Sequence, residues 1–132
     1  MSKKYRTELQ VRSYELDFYG HVNNATYLNY LEFARGKFLE QEGLSFKKLV
    51  EADIYLLVVR AELDYRAPAH LSDWLEIEGW IEKVGNTSAV FRQIIRNKNT
   101  GQEVVDARVT VVFANGARKP IPVPDFFRKK FL

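Results

Sequence analysis

Within the run Asp17-Phe18-Tyr19-Gly20-His21-Val22-Asn23-Asn24 stand the residue types needed to act on an acyl group. A carboxylate such as that of Asp17 can attack a carbonyl carbon itself or take the proton from a water that does so. Gly20 permits a sharp turn and lets a ligand come close to the backbone. Asn23 or Asn24 can cap a helix, and the first turn of a helix presents unpaired N–H groups with a partial positive charge. A carbonyl aimed at those groups is polarised, and the oxyanion formed on attack is stabilised. The run therefore offers both halves of acyl-transfer hydrolysis within eight residues. It also has a plain structural reading: Asp favours turns and caps wherever a strand gives way to a helix, and His21 can serve loop hydrogen bonding. Spacing alone leaves both readings open.

The elements around the run decide whether it is held in place. Residues 5–16 alternate apolar and polar, with Leu9 and Val11 against Glu8, Gln10 and Arg12, the period of a half-buried strand. After Asn24, Tyr27, Leu31, Ala34 and Phe38 recur at helical spacing, joined by Leu28, Tyr30 and Leu39, until Gly43 supplies a stop. Eighteen or so residues give a helix of about 27 Å, and its many apolar positions predict a central, largely covered helix. A connector over 44–53 has some helical character. Four strands are then expected: one with Val59, Ala61, Leu63 and Tyr65 on one face, ended by Pro68; one with Leu75, Ile77, Gly79 and Ile81; a less regular one over 87–97; and one with Val105, Ala107, Val109, Val111 and Phe113. Their spacing is that of successive hairpins. The tail, with Pro120, Pro122 and Pro124, runs extended and can close with a short helix from Asp125. The order predicts an α+β fold in which an antiparallel sheet curls round one helix. Such a sheet leaves edges and a face uncovered, so a homodimer or homotetramer is expected.

At 132 residues the chain, 1–132, is read as a single domain with one core. It has no cysteine, so neither a disulfide framework nor a thiol nucleophile enters the reading. Lys and Arg exceed Asp and Glu by 20 to 17, an excess spread along the chain, which argues against a nucleic-acid partner. The cluster Arg128-Lys129-Lys130 reads as a solvated tail. The apolar run Leu56–Val59 is too short to span a bilayer, and the charged start M-S-K-K-Y-R has no apolar segment behind it, so a cytoplasmic protein away from membranes is expected.

The Asp-x-x-Gly motif at Asp17–Gly20, leading into a long helix, resembles that of the 4-hydroxybenzoyl-CoA thioesterase branch of the hotdog superfamily. The element order agrees over about residues 5–127, and the ending Ala117-Arg118-Lys119-Pro120-Ile121-Pro122-Val123-Pro124 is similar to that branch's basic-Pro-apolar-Pro tail. The wording Gly20-His21-Val22-Asn23-Asn24 also resembles acyl-ACP thioesterases. The resemblance implies a hotdog fold, a five-stranded antiparallel sheet wrapped round a central helix. It implies hydrolysis of an acyl-CoA or acyl-ACP thioester without metal or cofactor, the coenzyme A ester being substrate. It makes Asp17 the catalytic carboxylate, as nucleophile or general base, and Asn24 the residue whose backbone N–H binds the thioester oxygen. His21 matches the acyl-ACP motif's histidine, but Tyr19 stands where that motif has Asn, which leaves His21 a supporting role. Ser88 matches a frequent small hydroxyl position. Glu32, on the helix, and Asp64, on a strand, correspond to acids of other members and read here as surface residues.

The leaving group's phosphates call for cations at the mouth of the site, for which Arg60, Arg66, Arg118 and Lys119 are candidates. Tyr27, Tyr30 and Phe33 can line an acyl pocket or simply pack in the core. Two rivals remain: a hotdog protein that binds thioesters without cleaving them, and an enoyl-thioester hydratase. The latter's Asp-x-x-x-x-His motif needs one more residue than separates Asp17 from His21.

Overall fold

In the computed structural model, which describes residues 2–132, the chain runs β1 (Tyr5–Gln10), a 3-10 turn (Ser13–Glu15), α1 (Thr26–Gln41), α2 (Phe46–Glu51), β2 (Tyr55–Tyr65), β3 (Trp74–Val84), β4 (Ser88–Asn97), β5 (Glu103–Ala114) and α3 (Asp125–Phe131). The five strands form one antiparallel sheet in the order β1-β3-β4-β5-β2. This is the hotdog arrangement expected. Only β3, β4 and β5 follow one another as hairpins, however. β2 lies at the far edge beside β5, so the 66–73 connection returns across the end of the sheet instead of turning directly into β3. Pro68 ends β2, and the connection finds its hydrogen bonds elsewhere: the Arg66 N–H donates to the Val104 carbonyl at 2.8 Å, and the Ala69 carbonyl accepts from the Val22 N–H at 2.9 Å.

The core lies between α1 and the concave face of the sheet. Tyr27, Tyr30, Leu31, Ala34, Phe38 and Leu39 of α1 are buried against Leu75, Ile77 and Ile81 of β3 and the alternate residues Val105, Ala107, Val109, Val111 and Phe113 of β5. Phe38 approaches β3 so closely that a Cβ on Gly79 would stand 2.3 Å from its ring, which is why that strand position carries glycine. α1 stops at Glu42-Gly43, where Gly43 has φ +75°. The tail covers one end of the core with Phe127 and Phe131 of α3, both wholly buried, Phe127 packing on Phe91 and Phe113.

Four expectations need correction. The first strand ends at Gln10, because the Arg12 N–H is claimed by the Glu15 carboxylate at 2.8 Å and residues 13–15 coil into the 3-10 turn. α1 is covered on one side only: Leu28 and Phe33 are exposed in the protomer. The regular alternation of β2 does not mark a buried face. As an edge strand it leaves Leu57, Val58, Val59 and Tyr65 exposed, with a register shift between Val58 and Arg60. Arg128 is no solvated tail residue, since its Nη2 donates to the Gly85 carbonyl at 2.7 Å. No helix among the described residues is long and apolar enough to cross a membrane.

Candidate active site

The run 17–24 folds as a small hairpin followed by a helix head. The Asp17 N–H donates to the His21 carbonyl at 2.8 Å, and the Gly20 N–H donates to the Asp17 carbonyl at 3.2 Å. Gly20 sits at the tip with φ +74°, a left-handed conformation that favours glycine. It does not line the pocket described below. Phe18 and Tyr19 project into solvent beside it. Leu16 bridges to Val22 and His21 bridges to His70, so the hairpin is stitched to the 66–73 connection.

The two oxygens of Asp17 are used differently. Oδ1 accepts from the Tyr19 N–H at 2.8 Å and from the His21 N–H at 3.3 Å, which is the turn-forming role. Oδ2 has no hydrogen-bond partner among the described residues. Ahead of the helix, Asn23 Oδ1 accepts from the Ala25 N–H at 2.9 Å and closes a local turn; the N-cap position is Ala25 and no side chain caps α1, so the expected Asn23 or Asn24 cap is not made. The Asn24 carbonyl accepts from the Tyr65 hydroxyl at 3.1 Å, and the Asn24 N–H has no partner among the described residues. Asp17, His21, Asn24, Tyr27, Tyr65 and Arg66 together line an open pocket of about 400 Å³.

Glu15, which the sequence did not single out, holds this arrangement from behind. Its carboxylate is buried and accepts from the Arg12 N–H and guanidinium and from the Tyr30 hydroxyl, each at 2.8 Å. Its carbonyl accepts from the Asn23 N–H at 2.9 Å. Desolvation pushes the Glu15 carboxyl up, but the bonds from Arg12 and Tyr30 outweigh it and hold the group below the ordinary carboxylate range. The same contact, added to burial, raises the Tyr30 phenol. One acid thus ties the end of β1, the 3-10 turn, the helix head and α1 together. The available signal was an acid two residues before Asp17 on a segment whose apolar partners were already buried.

The other expected residues divide. Tyr27 is buried, its ring edge-on to Tyr30 and tilted against Tyr65 at 5.7 Å. Burial raises its phenol, with the Ala69 backbone pulling the other way. The His21 ring makes no hydrogen bond to Asp17 and packs edge-on against His70, centroids 4.9 Å apart. Arg66 lines the pocket, but its guanidinium is shared with Glu103 at 3.3 Å, Asp106 at 3.6 Å and Asp64 at 3.7 Å. Arg60 lies beside Glu62 on the exposed edge. Ser88 and Arg118 lie at the opposite end of the sheet: Ser88 aligns through Val112 with Leu57, and Arg118, at φ +61°, borders a cavity of about 280 Å³ with Tyr55, Leu57, Asn115 and Gly116. That end is ten β2 residues from Tyr65, about 33 Å at strand rise. The protomer therefore unites Asp17, His21, Asn24, Tyr27 and Arg66, and separates Ser88 and Arg118 from them. No group of His, Asp or Glu side chains able to hold a metal occurs among the described residues.

A five-stranded antiparallel sheet folded over one long helix is the architecture of hotdog thioester hydrolases. The chain belongs to the thioesterase-like superfamily, whose pattern matches residues 11–131. It is 41% identical over 107 residues to the long-chain acyl-CoA thioesterase FadM of Escherichia coli, a match covering 81% of this chain and 80% of that protein. It is 32% identical to the acyl-CoA thioester hydrolase YbgC of Shigella flexneri, over 91% of this chain and 90% of the relative. Among solved structures, the YbaW probable thioesterase from Escherichia coli superposes with a TM-score of 0.82 at 36% identity, covering 95% of this chain and 94% of that one.

Proposed function

We propose that this protein hydrolyses acyl-CoA or acyl-ACP thioesters, in the cytoplasm, with Asp17 as nucleophile or general base and the head of α1 as the oxyanion site. The observation that carries this reading is that Asp17 Oδ2 and the Asn24 N–H, both without partners among the described residues, belong to residues lining one pocket. A thioester carbonyl directed at the Asn24 N–H meets a donor in the positive field of a sixteen-residue helix. The neighbouring carboxylate is then placed to attack the carbonyl carbon or to deprotonate a water, and the thiolate leaves. His21 supports Asp17 through its backbone N–H and forms the pocket wall with its ring.

The working unit in this reading is a homodimer made along β2, whose edge is unpaired and whose Val58 and Val59 are exposed. Antiparallel pairing about a two-fold axis near Arg60 would set Tyr65 of one protomer beside Tyr55 of the other. The partner's Arg118 and the partner's Lys119 would then stand at the mouth of the Asp17 pocket, as cations for the leaving group's phosphates. The test is thiol release from short, long and aromatic acyl-CoAs. Asp17→Asn is expected to keep the fold and assembly while lowering kcat by about 10²-fold or more, the scale of general-base contributions. Unchanged turnover in that variant would sink the mechanism; a wild-type protein whose Tm rises with CoA esters but which releases no thiol would favour a pure binder.

A further inference from the structure

The positive excess that is spread along the sequence is not spread over the fold. Across the body of the sheet the cations are matched: Arg6 and Arg96 with Glu78, Arg92 with Asp106, Arg108 with Glu82, and Lys98 with Glu8. Lys83, Arg118, Lys119, Arg128 and Lys129 meet no carboxylate within 4 Å among the described residues. The fold brings all five to one end of the sheet. The Asn115 N–H donates to the Lys119 carbonyl at 3.0 Å and closes a hairpin after β5, and the Gly116 N–H donates to Asp53 Oδ1 at 2.9 Å just ahead of β2. The tail then crosses the sheet end. Its Ile121 N–H donates to the Phe113 carbonyl at 2.9 Å, its Val123 N–H donates to the Asn86 carbonyl at 2.8 Å, and Arg128 reaches Gly85 in the β3–β4 turn, beside Lys83. From β2 to β3 is three strand spacings, about 14 Å, and α3 carries Lys129 further.

The acids at this end are few or already occupied. Glu82 takes Arg92 and Arg108, Glu42 takes Lys3 and the Tyr5 hydroxyl, and Asp53 takes the Gly116 N–H. Residues 118–132 hold five cations to one acid, Asp125, and of those cations Lys130 acts on Glu42. Like charges set in a row raise the local positive potential and draw in an anionic partner. α3 also exposes Phe126 and Leu132 beside them.

The β2 pairing proposed above sets this end of each protomer beside the Asp17 pocket of the other, so whatever docks here can deliver a thioester. A nucleotide ester needs cations at the pocket mouth, where Arg118 and Lys119 stand. Lys83, Arg128 and Lys129 continue the field past the next two strands, and apolar contact rimmed by charge is the composition of a protein interface. A bilayer is flat, and the two-fold axis turns the two basic ends to opposite sides of the dimer, so a lipid surface meets one and leaves the other unused. A small acidic protein fits at each. We propose that this basic end docks an acidic acyl carrier protein, which passes its phosphopantetheine-borne acyl group into the partner's Asp17 pocket. The proposal rests on the reading of that pocket as the reaction site. Arg118 and Lys119 then meet the arm's phosphate, and the other three cations meet carboxylates of the carrier.

The test compares kcat/KM for thiol release from dodecanoyl-CoA and from the same acyl group on an acidic acyl carrier protein. The variant reverses two charges outside the pocket and its mouth, Lys83→Glu with Lys129→Glu. It is expected to lower kcat/KM for the carrier ester by about tenfold or more, through KM, and to leave the CoA ester within about twofold, since rim charges act on encounter with a charged protein. In the wild type the carrier ester's kcat/KM is expected to fall as salt is raised. Should the double variant fail to fold, Lys83→Gln with Lys129→Gln takes its place. No loss on the carrier ester, or an equal loss on both esters, overturns the proposal. So does binding to phosphatidylglycerol vesicles that the double variant abolishes while carrier turnover stays unchanged, which assigns the surface to lipid. Release from neither ester overturns the reading of the Asp17 pocket. Fluorescence anisotropy of a labelled carrier then decides the surface by itself, and a Kd unchanged in the double variant overturns it.

Discussion

The hydroxyl of Tyr30 tests whether Glu15 anchors the candidate site. Tyr30 is 2% exposed and its only hydrogen bond among the described residues is the 2.8 Å contact to Glu15 Oε1. Tyr30→Phe deletes that bond with little change of shape and leaves a buried carboxylate one donor short. Hydrogen bonds to charged groups contribute about 1.5–3 kcal/mol, and the contact here is short and screened from water. For 132 residues the unfolding entropy is about 0.28 kcal/mol/K, so a loss of about 2 kcal/mol lowers Tm by about 7 °C. The pH dependence gives the sharper test. Glu15 is held below its ordinary value near 4.5 in the folded protein, so its contribution is fully present above that value and fades as the pH falls through the folded pKa. The Tm difference between wild type and Tyr30→Phe should therefore be largest near neutrality and shrink in acid. Calorimetric melts at fixed protein concentration from pH 7 to pH 3 measure it. A penalty that stays constant across that range would show that packing, rather than the carboxylate, is what the hydroxyl serves.

Three further outcomes follow from the geometry. Gly79→Ala brings a Cβ to 2.3 Å from the ring of a Phe38 that is fully enclosed, so thermal melts should show a loss of about 1–3 kcal/mol. If the Asn24 N–H is the oxyanion donor proposed, Asn24→Ala should leave kcat near wild type, whereas Asn24→Pro, which removes that N–H ahead of the N-cap residue Ala25 and so breaks no helix hydrogen bond, should lower kcat by about 10²–10³-fold. Val59→Glu on the β2 edge sets two carboxylates near the proposed two-fold axis and should yield a monomer by sedimentation, with thiol release falling alongside because the partner's Arg118 is lost.

The hotdog arrangement was legible because β3 and β5 alternate strictly and α1 repeats its apolar residues at helical spacing. The edge position of β2 was not. Alternation records the pleat of a strand, and Val59, Ala61, Leu63 and Tyr65 repeat at period two whether the protomer or a partner covers them. Nor did the sequence locate Ser88 and Arg118, because nothing local says which end of a strand faces which loop. Glu15 and the buried Arg35 of α1 escaped for a related reason: a charge in an apolar pattern reads as a solvated interruption until its partners are known, and those partners, Tyr30 and Gln93, come from distant segments.

Asp17 shows how far residue types alone can reach. Read as a turn residue it needs an acceptor for neighbouring amides, and Oδ1 supplies that to Tyr19 and His21. Read as a carboxylate for chemistry it needs an oxygen that nothing else occupies, and Oδ2 is that oxygen. The two readings competed only while the side chain was treated as one group. Held by two amides on one oxygen, the carboxylate is fixed in orientation before any ligand arrives, and the turn that explains Asp17 structurally is also what would aim it. Asparagine can reproduce the first role through its own Oδ1 and cannot reproduce the second. This is why Asp17→Asn, rather than a truncation, separates the fold of the loop from its chemistry.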